Sequence, residues 1–135
     1  MAKRHDLEIL QGATWSFVYT HLDSAGSAVD LTGFTARCSI KTGYGNTAEA
    51  YLSTGSDANG GTLTLGGANG TVTFAMTAAQ TKSLLDNSSL LFLINEQYPV
   101  TVNKTFIYDL ELVDGSGTVT RALEGRVIVQ REVTG

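Results

Sequence analysis

Apolar and polar residues alternate along Thr105-Phe106-Ile107-Tyr108-Asp109-Leu110-Glu111-Leu112-Val113, and the alternation stops at Asp114-Gly115-Ser116-Gly117. Phe106, Tyr108, Leu110 and Leu112 fall on one face at a period of two, with Asp109 and Glu111 on the other, as a half-buried antiparallel strand requires. The chain returns through 118–123, is interrupted at Gly125 and resumes as Val127-Ile128-Val129, so the stretch 106–133 predicts a hairpin. The same period recurs over 14–21, where Trp15, Phe17 and Tyr19 alternate with Ser16, Val18 and Thr20. Three aromatic rings on one face predict a core strand, because each ring buries a large area. Over 34–41, Phe34, Ala36, Cys38 and Ile40 share a face in the same way.

Shorter signals fill in the rest. Leu7 and Ile9 alternate with Asp6 and Glu8 to suggest a first strand ending at the Gln11-Gly12 turn, and 48–52 reads as a short edge strand. Gly66-Gly67 and Asn69-Gly70 look like hairpin turns between strands at 62–65 and 71–76. Asp30 can accept hydrogen bonds from the amides that follow it, as an Asx turn does. The pattern breaks at Thr77, which with Gln80 three residues later forms a capping box and predicts a short helix; Ala79, Leu84 and Leu85 share one side of it, and it ends near Asp86-Asn87. Leu90-Leu91-Phe92-Leu93-Ile94 is a continuous apolar run, followed by a turn at 95–99 and a return through Val100-Thr101-Val102. Such a run fits a strand covered on both faces, by the core of its own domain or by a partner.

These elements predict an all-β fold, an antiparallel β-sandwich of Ig-like or jelly-roll-like kind with one short helix, in a single domain over 1–135. Composition agrees: charged residues make up only 16% of the 135, and 15 glycines stand against one proline, a balance suited to short strands and tight turns. The net charge of −4 is spread without runs, and the one basic cluster is Lys3-Arg4-His5, so general affinity for nucleic acid is not expected. No apolar stretch approaches the length of a membrane span, and the basic N-terminus is not followed by the apolar segment of a signal peptide. Cys38 is the single cysteine, so no intramolecular disulfide forms, and its apolar face predicts an inert core thiol.

Candidate chemistry is sparse. His5 and His21 lie in different predicted elements without acidic or cysteine partners at ligand spacing, so neither a metal site nor a cofactor is expected. None of the glycines has the spacing of a phosphate-binding loop, there is no Gly-x-Ser-x-Gly elbow, and Cys38 lacks a neighbouring base in the sequence. Asp109 and Glu111 form a carboxylate pair on one strand face, the kind that can hydrolyse glycosides when suitably spaced. Arg121 and Arg126 on the return strand make cross-strand ion pairing the expected use of that pair. The reading is therefore of a protein that is not an enzyme, with no catalytic residues.

At Val29-Asp30-Leu31-Thr32-Gly33-Phe34-Thr35-Ala36-Arg37 the chain resembles a group of small virion proteins of tailed bacteriophages, which include N-terminal attachment domains of baseplate and receptor-binding assemblies. Their pattern opens with a strand after Gln-Gly, here Gln11-Gly12-Ala13-Thr14-Trp15, and continues through an Asp-Leu-Thr-Gly segment. It closes with a Tyr-Asp-Leu strand, a turn, and an Arg-x-x-x-Gly strand ending in Val-Thr. This chain has Tyr108-Asp109-Leu110, Asp114-Gly115, Arg121-Ala122-Leu123-Glu124-Gly125 and Val133-Thr134 at those places, so the likeness spans nearly its whole length. The segment 90–104 is longer than the pattern leads one to expect.

The resemblance implies a β-sandwich that serves as a building block of a virion tail, baseplate or fibre adaptor, assembled in the host cytoplasm. Other virion proteins and further copies of the chain would be its partners, with neither nucleic acid nor membrane among them. Leu91, Phe92, Tyr98, Pro99 and Val100 are then the expected protein interface, since aromatic anchors carry much of the energy of such contacts. A head-decoration protein is a variant of the same reading. A glycan-binding module, with Tyr44, Tyr51 or Tyr98 stacking on sugar rings, is the alternative from a different class.

Overall fold

In a computed structural model, the protein is described over residues 2–43, 50–56, 58–84 and 103–130. It is mostly β, with nine strands and one short helix among the described residues. The strands are β1 (Lys3–Arg4), β2 (Leu7–Leu10), β3 (Trp15–Thr20), β4 (Thr35–Lys41), β5 (Ala50–Ser53), β6 (Gly61–Leu65), β7 (Thr71–Met76), β8 (Asn103–Val113) and β9 (Val119–Gln130). A 3-10 turn at Gly67–Asn69 joins β6 to β7, and helix α1 (Ala78–Ser83) follows β7. Hydrogen bonds link the strands into one curled sheet in the order β1-β9-β8-β4-β5-β6-β7-β3, with β2 also on β9.

Alternation places most of the core as the sequence predicts, although β3 lies at the end of the sheet, with Tyr19 buried and Trp15 and Phe17 half-buried. Phe106, Tyr108, Leu110 and Leu112 of β8 are buried beside Ala36, Cys38 and Ile40 of β4, and Phe74 of β7 lies under Trp15 and Phe17 of β3 with ring centroids 6.2 and 5.7 Å apart. The β8–β9 hairpin forms as expected, and the Asp114 carboxylate closes it by accepting from the Ser116 and Thr118 amides at 2.9 Å each. The Asx turn at Asp30 and the Thr77–Gln80 capping box of α1 are both present. Thr81 of that helix is fully buried; its hydroxyl accepts from Gly12 N–H and faces the Ala13 carbonyl, each at 3.0 Å, tying α1 to the turn between β2 and β3.

Four expectations need correction. The sheet is mixed, not purely antiparallel: β1 and β2 both run parallel to β9, and β5 runs parallel to β6. The cause is that β2 does not fold back on itself at Gln11-Gly12; the turn carries the chain across to β3, which pairs with β7 instead. Parallel contact between β5 and β6 arises because the Asn59 and Gly60 amides both return to the Tyr51 carbonyl, bringing backbone so close that a Cβ at Gly60 would overlap Ala50. Second, β5 is not an edge strand, since it lies between β4 and β6.

Third, β9 is not interrupted at Gly125. It runs unbroken to Gln130, and its irregularity is a bulge where Leu110 faces Leu123 and Glu111 faces Arg121, leaving Ala122 as the extra residue. Ala122 and Leu123 are consequently both buried. Gly125 has another purpose: its site is where the crossing from β1 to β2 lies against β9, and a Cβ there would overlap the His5 carbonyl. Last, Arg126 does not join the Asp109–Glu111 pair; it turns to Asp6 at 3.6 Å.

The two ends of the sheet approach one another. His5 stacks on Phe17 at 5.1 Å, and the Tyr19 hydroxyl donates to the Ala122 carbonyl at 3.4 Å. Among the described residues no backbone hydrogen bond joins β3 to β1 or β2.

Candidate functional site

The face of the sheet turned away from the core carries its charge in rows across β4, β8 and β9. Because side chains alternate, Arg37, Ser39 and Lys41 of β4 project together with Ile107, Asp109 and Glu111 of β8. Strand register sets the rows: Ser39, Asp109 and Glu124 form the middle one, Arg37, Glu111 and Arg121 the row on one side, and Lys41, Ile107 and Arg126 the row on the other. Arg4 joins them from β1, and with all of these residues but Arg37 it lines a hollow of about 420 Å³.

The rows neutralise one another. Asp109 stands directly opposite Glu124, an unfavourable cross-strand pairing of like charges. Arg121 offsets it by reaching both, with Nε 3.5 Å from Asp109 and Nη1 3.8 Å from Glu124. Glu111 is held by Arg37 at 2.7 Å. Partial burial keeps the Asp109 carboxyl above the usual aspartate range, and the neighbouring Glu111 charge adds to this while Arg121 and Lys41 oppose it. On the far side of β9, Asp6 is held below its ordinary value, chiefly by the backbone hydrogen bond it accepts from Arg126.

This arrangement decides what the carboxylates can do. Glycoside hydrolysis needs one carboxyl free to act as an acid and the other as a base or nucleophile on the same bond. Here Glu111 lies 2.7 Å from the Arg37 guanidinium and Asp109 3.5 Å from that of Arg121. Cross-strand pairing between Asp109 and Arg121 is as the spacing predicts. Lys41 and Ser39 were not singled out in the sequence, where the polar i, i+2, i+4 run Arg37, Ser39, Lys41 was the available signal; Arg4 stood out only as part of the basic cluster and Glu124 only within the Arg121–Gly125 segment.

The remaining singled-out residues scatter. Cys38 is buried on the opposite face, and burial pushes its thiol pKa far up, so it is not a nucleophile in the folded protein. His21 accepts or donates at Nδ1 to the Tyr19 hydroxyl at 2.9 Å, and partial burial lowers its pKa. It lines a second cleft of about 260 Å³ between the end of β3 and the start of β9, while His5 lies on Phe17. Among the described residues no group of three or more His, Cys, Asp or Glu side chains is placed to hold a metal ion. No helix among them is long and apolar enough to cross a membrane. Tyr51 is half-buried in β5 opposite Ser39. Leu91, Phe92, Tyr98, Pro99, Val100 and Tyr44 lie outside the described residues.

Set against models of known families and against curated proteins, the chain matches none. Its own chemistry must therefore carry the functional reading.

Proposed function

We propose that this chain is a non-enzymatic structural protein of a bacteriophage virion, a component of the tail, the baseplate or a fibre adaptor, that works by being built into a larger assembly. The observation that supports it best is how the ionic groups of the outer face are used. Arg37, Arg121, Asp109, Glu111 and Glu124 pair with one another across three strands, so the charges of this face are spent largely on one another. Surface of a different character remains at the sheet's end, where β3 carries no charged residue and Val18 is 56% exposed. Sheet edges of that kind support assembly through backbone hydrogen bonds.

The curled sheet acts as a β-sandwich, in which β6, β7 and β3 lie over β4, β8 and β9. The His5–Phe17 stacking and the Tyr19–Ala122 hydrogen bond, both between the two halves, support it. Contacts with other virion proteins run through the apolar arm at Leu91, Phe92, Tyr98, Pro99 and Val100, whose composition fits an interface.

Incorporation into particles tests the proposal. Phe92→Ser and Tyr98→Ser should fold with unchanged thermal stability yet be missing from purified particles. If both variants unfold, the arm belongs to the core and the interface assignment fails.

A further inference from the structure

The end of the sheet at β3 is unusual for a soluble domain. Natural edge strands are guarded by lysines, prolines, bulges or extreme shortness, because an unguarded edge pairs with other chains. Trp15-Ser16-Phe17-Val18-Tyr19-Thr20 has six residues, none charged and none a proline, and it pairs with β7 in unbroken register from Trp15–Met76 to Thr20–Thr71. Among the described residues no strand lies beyond it.

The register shows which backbone groups are open. His21, one residue past the strand, donates to the Gly70 carbonyl at 2.8 Å, so the facing pair His21–Gly70 is a hydrogen-bonded one. Bonded and open residues alternate along an antiparallel strand. Trp15, Phe17 and Tyr19 therefore spend their amides and carbonyls on β7, while Ser16, Val18 and Thr20 turn theirs outward. The side chains of those same three residues are exposed.

We propose that the occupant of this edge is a second copy of the chain, paired antiparallel through β3 about a two-fold axis at Val18. The sequence of the edge argues for self-pairing, because it reads alike in both directions from its centre: a hydroxyl residue, Val18, a hydroxyl residue. In this register Ser16 faces the partner's Thr20, Val18 faces the partner's Val18, and Thr20 faces the partner's Ser16. Each facing pair exchanges two backbone hydrogen bonds, six in all, by the alternation of an antiparallel ladder. The side chains meet as hydroxyl with hydroxyl and branched apolar with branched apolar, both favourable cross-strand pairings. Beyond the strand, Leu22, itself 49% exposed, comes opposite the partner's Thr14, and Asp23 opposite the partner's Ala13. No carboxylate meets another, although the chain carries a net charge of −4. The contact is isologous and closed, so it makes a dimer and not a fibre.

This deepens the assembly reading and rests on it only for the use of sheet edges. The test is sedimentation equilibrium of the full chain from micromolar to millimolar concentration, since an edge contact is smaller than a standard interface and its affinity is correspondingly modest. Wild type should approach twice 14.3 kDa as concentration rises. Val18→Lys puts two ammonium groups face to face on the two-fold axis and should be monomeric throughout with unchanged circular dichroism. Val18→Glu should be monomeric as well, and mixing the two variants should restore the dimer, which only a register placing position 18 opposite itself produces. A monomeric wild type at millimolar concentration, a Val18→Lys variant that still dimerises, or a mixture that stays monomeric would each overturn the proposal. A monomer that is nevertheless found in particles removes the dimer and leaves the virion reading standing.

Discussion

Gly125 is the position at which one added carbon tests how the N-terminal strand is held. Three contacts clamp the crossing between β1 and β2 against β9: His5 N–H to the Glu124 carbonyl at 2.9 Å, the Tyr108 hydroxyl to the His5 carbonyl at 2.5 Å, and Arg126 N–H to Asp6 Oδ1 at 3.0 Å. The Cβ of an alanine would overlap the His5 carbonyl carbon and oxygen, which are backbone and cannot swing aside. Two responses compete. A local shift costs about 1–3 kcal/mol as overpacking, plus roughly 1 kcal/mol if the Tyr108 hydrogen bond lapses, or about 2–4 kcal/mol together. Lifting the strand instead exposes Leu7 and Ile9, both buried, at about 1.5–3 kcal/mol each, or roughly 3–6 kcal/mol. The local shift is the cheaper, so Gly125→Ala should lose about 2–4 kcal/mol in urea denaturation while the amides of β2 stay protected from hydrogen exchange. A loss below about 0.5 kcal/mol would refute the clamp, as would β2 amides that exchange freely in an otherwise intact protein.

Thr81→Val keeps the shape of the buried side chain but leaves Gly12 N–H without its acceptor, and should cost about 1–3 kcal/mol in the same denaturation assay. Cys38 should resist a maleimide in the folded protein and react within the mixing time once denatured, because burial both shields the thiol and raises its pKa. Asp114 has a folded pKa below its ordinary 3.8, owing first to the Ser116 hydroxyl and then to the Thr118 amide, so its contribution is present above 3.8 and lost as pH falls through the lowered value. Asp114→Ala should accordingly be less stable than wild type near neutral pH, with the gap narrowing as the solution is acidified below 3.8. A gap that widens on acidification would show that the turn is held some other way.

How much of this was readable in advance follows from the range of each interaction. The β8–β9 hairpin, the Asp30 turn and the Thr77 cap are local, and each declares itself within a dozen residues. The parallel pairings are not: Leu7 meets Val127 across most of the chain, and nothing near either residue specifies the partner. Lys3–Arg4 gave no sign of being a strand because both residues are exposed and charged, with no apolar alternation to mark their pairing with Leu123 and Glu124 of β9. Gly125 reads as a break because nothing in the sequence shows what it accommodates, a backbone crossing close against the strand, which is one of the uses of a glycine inside a strand. The bulge at Ala122 was hidden because small apolar residues suit either face. At the outer face, ion pairing of the Asp109–Glu111 carboxylates with Arg121 was visible from its place on the return strand of the hairpin, whereas Arg37–Glu111 needed β4 beside β8, a contact 74 residues apart in sequence.

The central proposal is that the chain works as a built-in part of a virion, and the most direct measurement is its copy number in phage particles purified from a lysate of cells that express it, by quantitative mass spectrometry against the tail-tube protein. The account predicts a fixed, reproducible number of copies per particle that survives washing in high salt. A chain abundant in the infected cell and absent from washed particles would contradict it.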